Sequence, residues 1–435
     1  MHQTFLICPA FGSVMLISAL AASPAVAAPG DGNMDLQRQI VELRAEVERL
    51  RDKNDDHWLT DQRAAEIRGL VYDVLADADT RASLLGSGMQ SGWDSHPFIA
   101  SSDGNFRLQL EGQLQVRFVY NNQDDDADDS HRWGFENRRT KIKFAGHIID
   151  PSWSYKVTGA FSSSSGAFNL EDAYIGKNFG NGWKLKVGQF KPPFLREELV
   201  SSSKQLLVDR SLVNEQRNQD FSQGIQIEYG ADAFRIYAMF HDGFGADNTG
   251  ALVEDVEFAA TGRGEVLLAG NWKQFDDFTS FRGEEFGLMI GGAVHYQKGE
   301  SGTAAIEEEE FMWTVDASAE FGGANAFVAI VGRHLDEADV DRFGVVVQGG
   351  YFLTDDWEIF GRYEWYDYDT SGMDDINIAT VGANYYMAKH NLKWTTDLGF
   401  ALDTVESGSS GVGWRTDPAG EDNQIVFRSQ LQLLF

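Results

Sequence analysis

The chain has 435 residues, with Lys+Arg 36 against Asp+Glu 67 and a formal net charge of -31 at pH 7. So acidic a balance excludes a nucleic-acid binder, which needs a clustered positive footprint, and so polar a chain excludes a bundle of membrane helices. Cys8 is the only cysteine, so neither a disulfide framework nor a Cys-based zinc site is open to it.

The amino end reads as an export signal. Phe5 to Ala22 is apolar and small, and Ser23-Pro24-Ala25-Val26-Ala27-Ala28 follows as a cleavage pattern, so residues 1–28 are expected to be a signal peptide. Acylation at Cys8 is not expected, because Ile7 precedes it where a small residue belongs. Residues 33–85 then read as a helical coiled-coil segment. Leu36, Ile40, Leu43, Val47 and Leu50 are spaced 4, 3, 4, 3, with Asn54 at the next a position, and Glu46 with Arg51 has the g-to-e′ spacing. By the a/d rule this seam favours two strands; a single amphipathic helix packed on its own chain is the other reading. Ile67, Leu70, Val71, Val74 and Leu75 continue at helical spacing, and Gly86, Gly88 and Gly92 open an expected linker over residues 86–102.

From Asp103 the period changes to 2. Phe106, Leu108, Leu110, Leu114, Val116, Phe118 and Tyr120 hold the even positions against Arg107, Gln109, Glu111, Gln113, Gln115 and Arg117 on the odd ones. A tilted strand needs about 9–11 residues to cross a bilayer, and this run exceeds that. The pattern recurs through Trp153–Phe161, Trp183–Val187, Phe286–Tyr296, Phe311–Ala319, Trp357–Trp365 and Leu392–Leu402. The final run puts Ile425, Phe427, Leu431, Leu433 and the terminal Phe435 on one face, as a barrel-closing strand does. Sixteen alternating runs lie between Asp103 and Phe435. The fold expected is therefore an all-β membrane protein, a sixteen-stranded antiparallel transmembrane β-barrel over residues 103–435, preceded by an α-helical coiled-coil segment.

Short turns (150–151, 179–182, 230–232, 322–323, 354–356) alternate with longer polar connections (121–132, 242–254, 298–310, 367–374, 403–422). The segment 269–284 is long where a short turn is due, which puts the register of its flanking strands in question. Carboxylates crowd the long connections, at Asp124–Asp126, Glu307–Glu310 and Asp336–Asp341. Lacking calcium-loop spacing, they read as a solvated rim, and no metal or other cofactor is expected.

Basic residues share the inward parity of the first strands: Arg107, Arg117, Arg139, Lys141, Lys143, Lys156, Lys184 and Lys186. A charge facing lipid costs several kcal/mol, so these are expected to line an aqueous lumen. Two readings stay open: a ladder that selects anions, or cations paired with Glu111, Glu171 and other carboxylates into a screened wall.

The stretches Asn137-Arg138-Arg139-Thr140-Lys141-Ile142-Lys143-Phe144-Ala145-Gly146, Glu171-Asp172-Ala173-Tyr174-Ile175 and Val187-Gly188-Gln189-Phe190-Lys191-Pro192-Pro193-Phe194 resemble the phosphate-selective porin O/P family. The layout of signal, coiled coil and barrel resembles planctomycete-type members. The resemblance implies a homotrimeric porin whose connection after the fifth strand, Pro192 to about Phe221, folds into the channel as a constriction. That connection carries Arg196, Glu197, Glu198, Lys204, Asp209, Arg210, Glu215, Arg217 and Asp220.

The motifs H-E-x-x-H, G-x-S-x-G, G-x-x-x-x-G-K-[ST] and G-x-G-x-x-G are all missing, and no enzyme is expected. The reading is a bacterial outer-membrane porin for small hydrophilic solutes or ions, its amino-terminal segment in the periplasm. The competing readings are an outer-membrane anchor tethered to the cell wall through the coiled coil, and a soluble extracellular β-protein.

Overall fold

The computed structural model describes residues 38, 41–46, 48–49, 88–123, 130–251, 256–300, 307–417 and 423–435. The chain divides into two units, Met1–Gly86 and Ser87–Phe435. In the first, residues 41–46 are helical, with Glu46 paired to Arg49 at 3.2 Å. The signal peptide, the second helical stretch and every seam residue of the coiled coil except Leu43 lie outside the described residues.

The second unit is a closed antiparallel barrel of sixteen strands. A two-stranded hairpin comes first, β1 (Met89–Asp94) and β2 (His96–Ser101), then the barrel strands β3 (Arg107–Asn122), β4 (His131–Ile148), β5 (Asp150–Phe161), β6 (Phe168–Gly180) and β7 (Trp183–Phe190). The connection after β7 holds two short helices, α1 (Arg196–Leu199) and α2 (Leu212–Arg217). The strands resume with β8 (Ser222–Gly230), β9 (Phe234–His241), β10 (Val256–Ala269), β11 (Gly287–Glu300), β12 (Glu307–Glu320) and β13 (Ala324–Leu335). Then come β14 (Val340–Phe352), β15 (Trp357–Asp367), β16 (Ile376–Ala388), β17 (Leu392–Ala401) and β18 (Ile425–Leu434). Each pairs with the next, and β18 returns to β3 with Ile425 opposite Asn122 and Leu434 opposite Gln113. Closure leaves no barrel edge, which hydrocarbon would not tolerate. Among the described residues no helix is long and apolar enough to cross a membrane.

Period-2 alternation decides what faces where. Leu110, Val116, Ile142 and Val157 are exposed on the outer wall, while Gln113, Gln115 and Arg117 are buried on the inner one. Aromatic rings gather at both strand ends. At the turn end Trp183 lies against Tyr229 and Trp357 against Tyr385; at the loop end Phe240 lies against Phe258. Two such belts suit the two interfaces of a bilayer.

Two sequence expectations change. Residues 89–101 form the β1–β2 hairpin, not a linker, and Phe98, Ile99 and Ala100 pair with the start of β3. Because β18 stops at Leu434, that stretch of β3 would otherwise keep unpaired backbone groups, and the hairpin covers it. The long 270–286 connection leaves β10 and β11 paired, with Val266 opposite Ile290, but the register slips by one beside it, where Leu267 opposes Met289 and Ala269 opposes Leu288.

Candidate functional site: the lumen and its constriction

Two bulges set the chemistry of the inner wall. Between β3 and β4 the register slips by one, with Gln115 opposite Arg139 but Val116 opposite Asn137. The extra residue is Arg138, so Arg138 and Arg139 both reach inward. Between β5 and β6, Thr158 opposes Asp172 but Gly159 opposes Leu170, and Glu171 is the extra residue. A bulge turns two consecutive side chains toward one face, which plain alternation forbids. Here it gives the lumen an arginine pair and a carboxylate pair.

The connection from Lys191 to Phe221 enters the barrel and binds the inner wall. Asp209 receives Arg117, Arg138 and Arg139 at 2.5, 3.0 and 2.5 Å. Arg263 donates to the carbonyl of Phe194 and pairs with Asp316 at 2.8 Å. Arg362 donates to the carbonyls of Asp209 and Arg210, Lys393 to that of Gln205, and Asn384 to that of Leu206. Below these polar clamps Leu206, Leu207, Leu212 and Val213 pack on Val346, Phe360, Tyr366 and Ile378, so strands β11–β18 are filled by an apolar core inside the barrel.

The neighbouring connections close in from both ends. Residues 402–417 fold inward, burying Val405, Val412 and Trp414 in the same core, while Arg117 donates to the carbonyls of Ser410 and Gly411. From the turn end, the 270–286 connection sends Phe278 against Phe327 at 4.8 Å, and Arg196 donates to the carbonyl of Phe275.

What stays open lies against the first strands. A cavity of ≈ 250 Å³ is lined by Lys141, Lys143, Lys156, Lys186, Lys191 and Arg210, by the carboxylates Glu171, Asp172 and Glu198, and by Tyr174, Phe190 and Phe221. Lys143, Leu199 and Ser201 also line a second cavity of ≈ 860 Å³ toward the turn end, where Lys204, Lys273 and Lys389 face Glu111, Asp276, Asp277, Glu284 and Glu285.

The cations are mostly paired. Lys141 meets Glu171 at 2.6 Å, Lys156 meets Asp172 at 2.9 Å, Lys143 meets Glu111 at 3.7 Å, and Lys191 meets Glu198. Burial opposes ionisation of Glu198, yet Arg210 and Lys191 hold its carboxyl at about 2. Lys186 makes no ion pair among the described residues; its Nζ lies 4.8 Å from the Tyr174 ring centroid and 4.7 Å from that of Phe190.

Of the basic residues expected in the lumen, Lys141, Lys143, Lys156 and Lys186 meet in the cavity. Lys184 sits in a side recess on Glu228 at 3.0 Å, and Arg117 and Arg139 serve as clamps on Asp209. Arg107 lies at the turn end, paired with Asp94 of the hairpin at 2.7 Å. Of the two readings of these charges, the geometry is that of pairing with carboxylates, with Lys186 the exception. Within the connection, Glu198 and Arg210 reach the first cavity and Lys204 the second. Arg196, Glu197 and Arg217 are internal struts: Glu197 accepts from the Ser211 amide and hydroxyl, and Arg217 donates to the Tyr366 hydroxyl. Arg138, Arg263, Arg362 and Arg428 were missed as site residues, and Asp209 was placed on the connection without its role as acceptor for the arginines. The consecutive arginines at 138–139 were a visible break in alternation; the lone inward arginines of the later strands carried no such mark.

A closed sixteen-stranded barrel with an aromatic belt at each end, a hydrated charged lumen and an inward-folded connection defines a porin. The sequence signature of phosphate-selective porin O and P matches residues 108–435, and the chain belongs to that family. An uncharacterized protein of Aquifex aeolicus is 26% identical over 327 residues, covering 68% of this chain and 76% of that one. Among solved structures, the anion-selective porin from Comamonas acidovorans superposes with a TM-score of 0.54 at 14% identity, covering 75% of this chain and 99% of that one. OprB of Pseudomonas putida gives 0.53 at 12%, covering 82% and 96%. The outer membrane channel DcaP of Acinetobacter baumannii gives 0.50 at 12%, covering 77% and 99%. The protein is a porin of the bacterial outer membrane, a passive diffusion channel for small hydrophilic solutes.

Proposed function

We propose that this channel prefers small anions and that the cationic excess of the narrow cavity, in which Lys186 makes no ion pair among the described residues, sets the preference. The carrying observation is the lining of the narrow cavity, six cationic side chains against three carboxylates. Glu111, beyond its edge on Lys143, lessens the excess without cancelling it. In a low-dielectric passage such an excess raises the local anion concentration. The anion-selective neighbour shares the fold and agrees with this reading. The test is the reversal potential of purified protein in planar bilayers under a KCl gradient. An anion-preferring sign is expected, and Lys156→Gln with Lys186→Gln should move it toward the cation side. A cation-preferring wild type would end the reading.

The finer assignments form part of the same proposal. Residues 1–28 are removed on export, residues 33–85 form a coiled coil on the periplasmic side, and the working unit is a homotrimer. The heptad seam and the family support self-association; cross-linking of the full chain in detergent should give a trimer band.

A further inference from the structure

We infer that the narrow cavity is built for a monovalent organic anion with a flat apolar body, an aryl carboxylate, in preference to inorganic phosphate. This deepens the anion-preferring reading and rests on it. Phosphate recognition draws on guanidinium forks and several free donors converging on one group. The lumen has guanidinium groups, but its own carboxylates and carbonyls use them. The arginines on Asp209 are spent there, and Arg210 donates to the carbonyls of Glu197, Glu198 and Val200. The lysines bonded to Glu171, Asp172 and Glu198 are likewise compensated.

One cation differs. Lys186 makes no ion pair among the described residues, with Glu228 in the side recess and Asp172 in the cavity near it, and rests on the rings of Tyr174 and Phe190. Tyr174 is half-buried and lines the open cavity, with Phe190 edge-on to its ring at 5.7 Å. A carboxylate on the Lys186 ammonium places an attached ring beside these aromatic side chains, where offset or edge contact adds to the ion pair. The space suffices, since ≈ 250 Å³ exceeds the roughly 150 Å³ that holds a benzene ring in an engineered cavity.

The test is current block of the full-length wild-type channel in planar bilayers, with sodium benzoate, acetate or phosphate added at constant ionic strength. Benzoate is expected to halve the current at a concentration at least tenfold below phosphate and at least fivefold below acetate. Lys186→Gln and, separately, Tyr174→Leu should each raise the benzoate value several-fold, with heat-modifiable gel migration showing that the barrel has formed. Phosphate blocking at or below the benzoate concentration would overturn the inference, and so would acetate matching benzoate. The wild-type comparison needs no variant. The KCl reversal potential reports the underlying anion preference separately, so an anion-preferring channel blocked best by phosphate refutes this inference alone.

Discussion

Asp209 governs the lumen at the scale of single residues. Burial opposes its ionisation, but Arg138, Arg139 and Arg117 outweigh burial and hold its carboxyl well below the usual carboxylate range. Removing the carboxylate leaves three guanidiniums without it in a site that excludes water. Asp209→Asn is expected to cost about 3–5 kcal/mol of constriction stability, the range for breaking a buried ion pair. Single-channel records should show a noisier, larger conductance; an unaltered trace would mean the connection is held by its apolar residues alone. The pH dependence has a definite sign. With the folded value depressed, the contact's stabilisation is complete above the ordinary carboxylate value of roughly 3.9 and is lost only as pH falls below it. Conductance is therefore expected to stay level from neutrality to about pH 4, then rise or become noisy. On the outer wall Gly112 is tightly placed, since a Cβ there would lie 2.3 Å from the ring of Phe435. The amide of Gly112 also donates to the carbonyl of Phe435 at 2.6 Å, joining the chain's last residue to the first barrel strand.

Among the elements, the connections do more than join strands. The 270–286 segment supplies Phe278 and Phe281 beneath the constriction, with Phe281 against Tyr386 at 5.2 Å and Thr279 bonded to the Tyr386 hydroxyl. Replacing residues 272–284 by a short hairpin turn should keep the barrel and widen the turn-end mouth. The expected readout is an increase in single-channel conductance, with wild-type conductance counting against the segment as a restriction. The β6–β7 turn at the same end of the barrel shows the ordinary case. Asn181 and Gly182 have φ of 52° and 87°, the two-residue geometry that matches strand twist and adds nothing to the lumen. Why the longer turn breaks this habit was not legible from its composition, because its partners are inward side chains of distant strands.

The whole molecule is an electrostatic object with an acidic total and a locally basic passage. With a net charge of -31, the basic cavity works against the average of its own chain. Its influence on permeating ions therefore depends on range. At 0.1 M salt the Debye length is about 10 Å, and at 1 M about 3 Å. The anion preference proposed above should thus shrink markedly when the reversal potential is measured around 1 M instead of 0.1 M at the same gradient. Invariance would place the selecting groups in direct contact with the ion.

The sequence by itself determined the strand faces, their number and the closure of the barrel. These follow from period 2, because lipid on one side and water on the other act on every residue in turn. The connection after the fifth barrel strand was indicated as the constriction by family resemblance and not by periodicity. What only the tertiary structure decided was which charges meet. Arg117 reaches Asp209 across 92 positions of sequence, and Arg428 pairs with Asp397 across 31. Such pairing depends on inter-strand register, which the bulges at Arg138 and Glu171 shift by one residue. The hairpin before β3 escaped for a related reason: its strands exist to cover a backbone edge left where β18 ends, an edge no local pattern records. Alternation tells a side chain which wall it stands on; only the assembled barrel tells it who stands opposite.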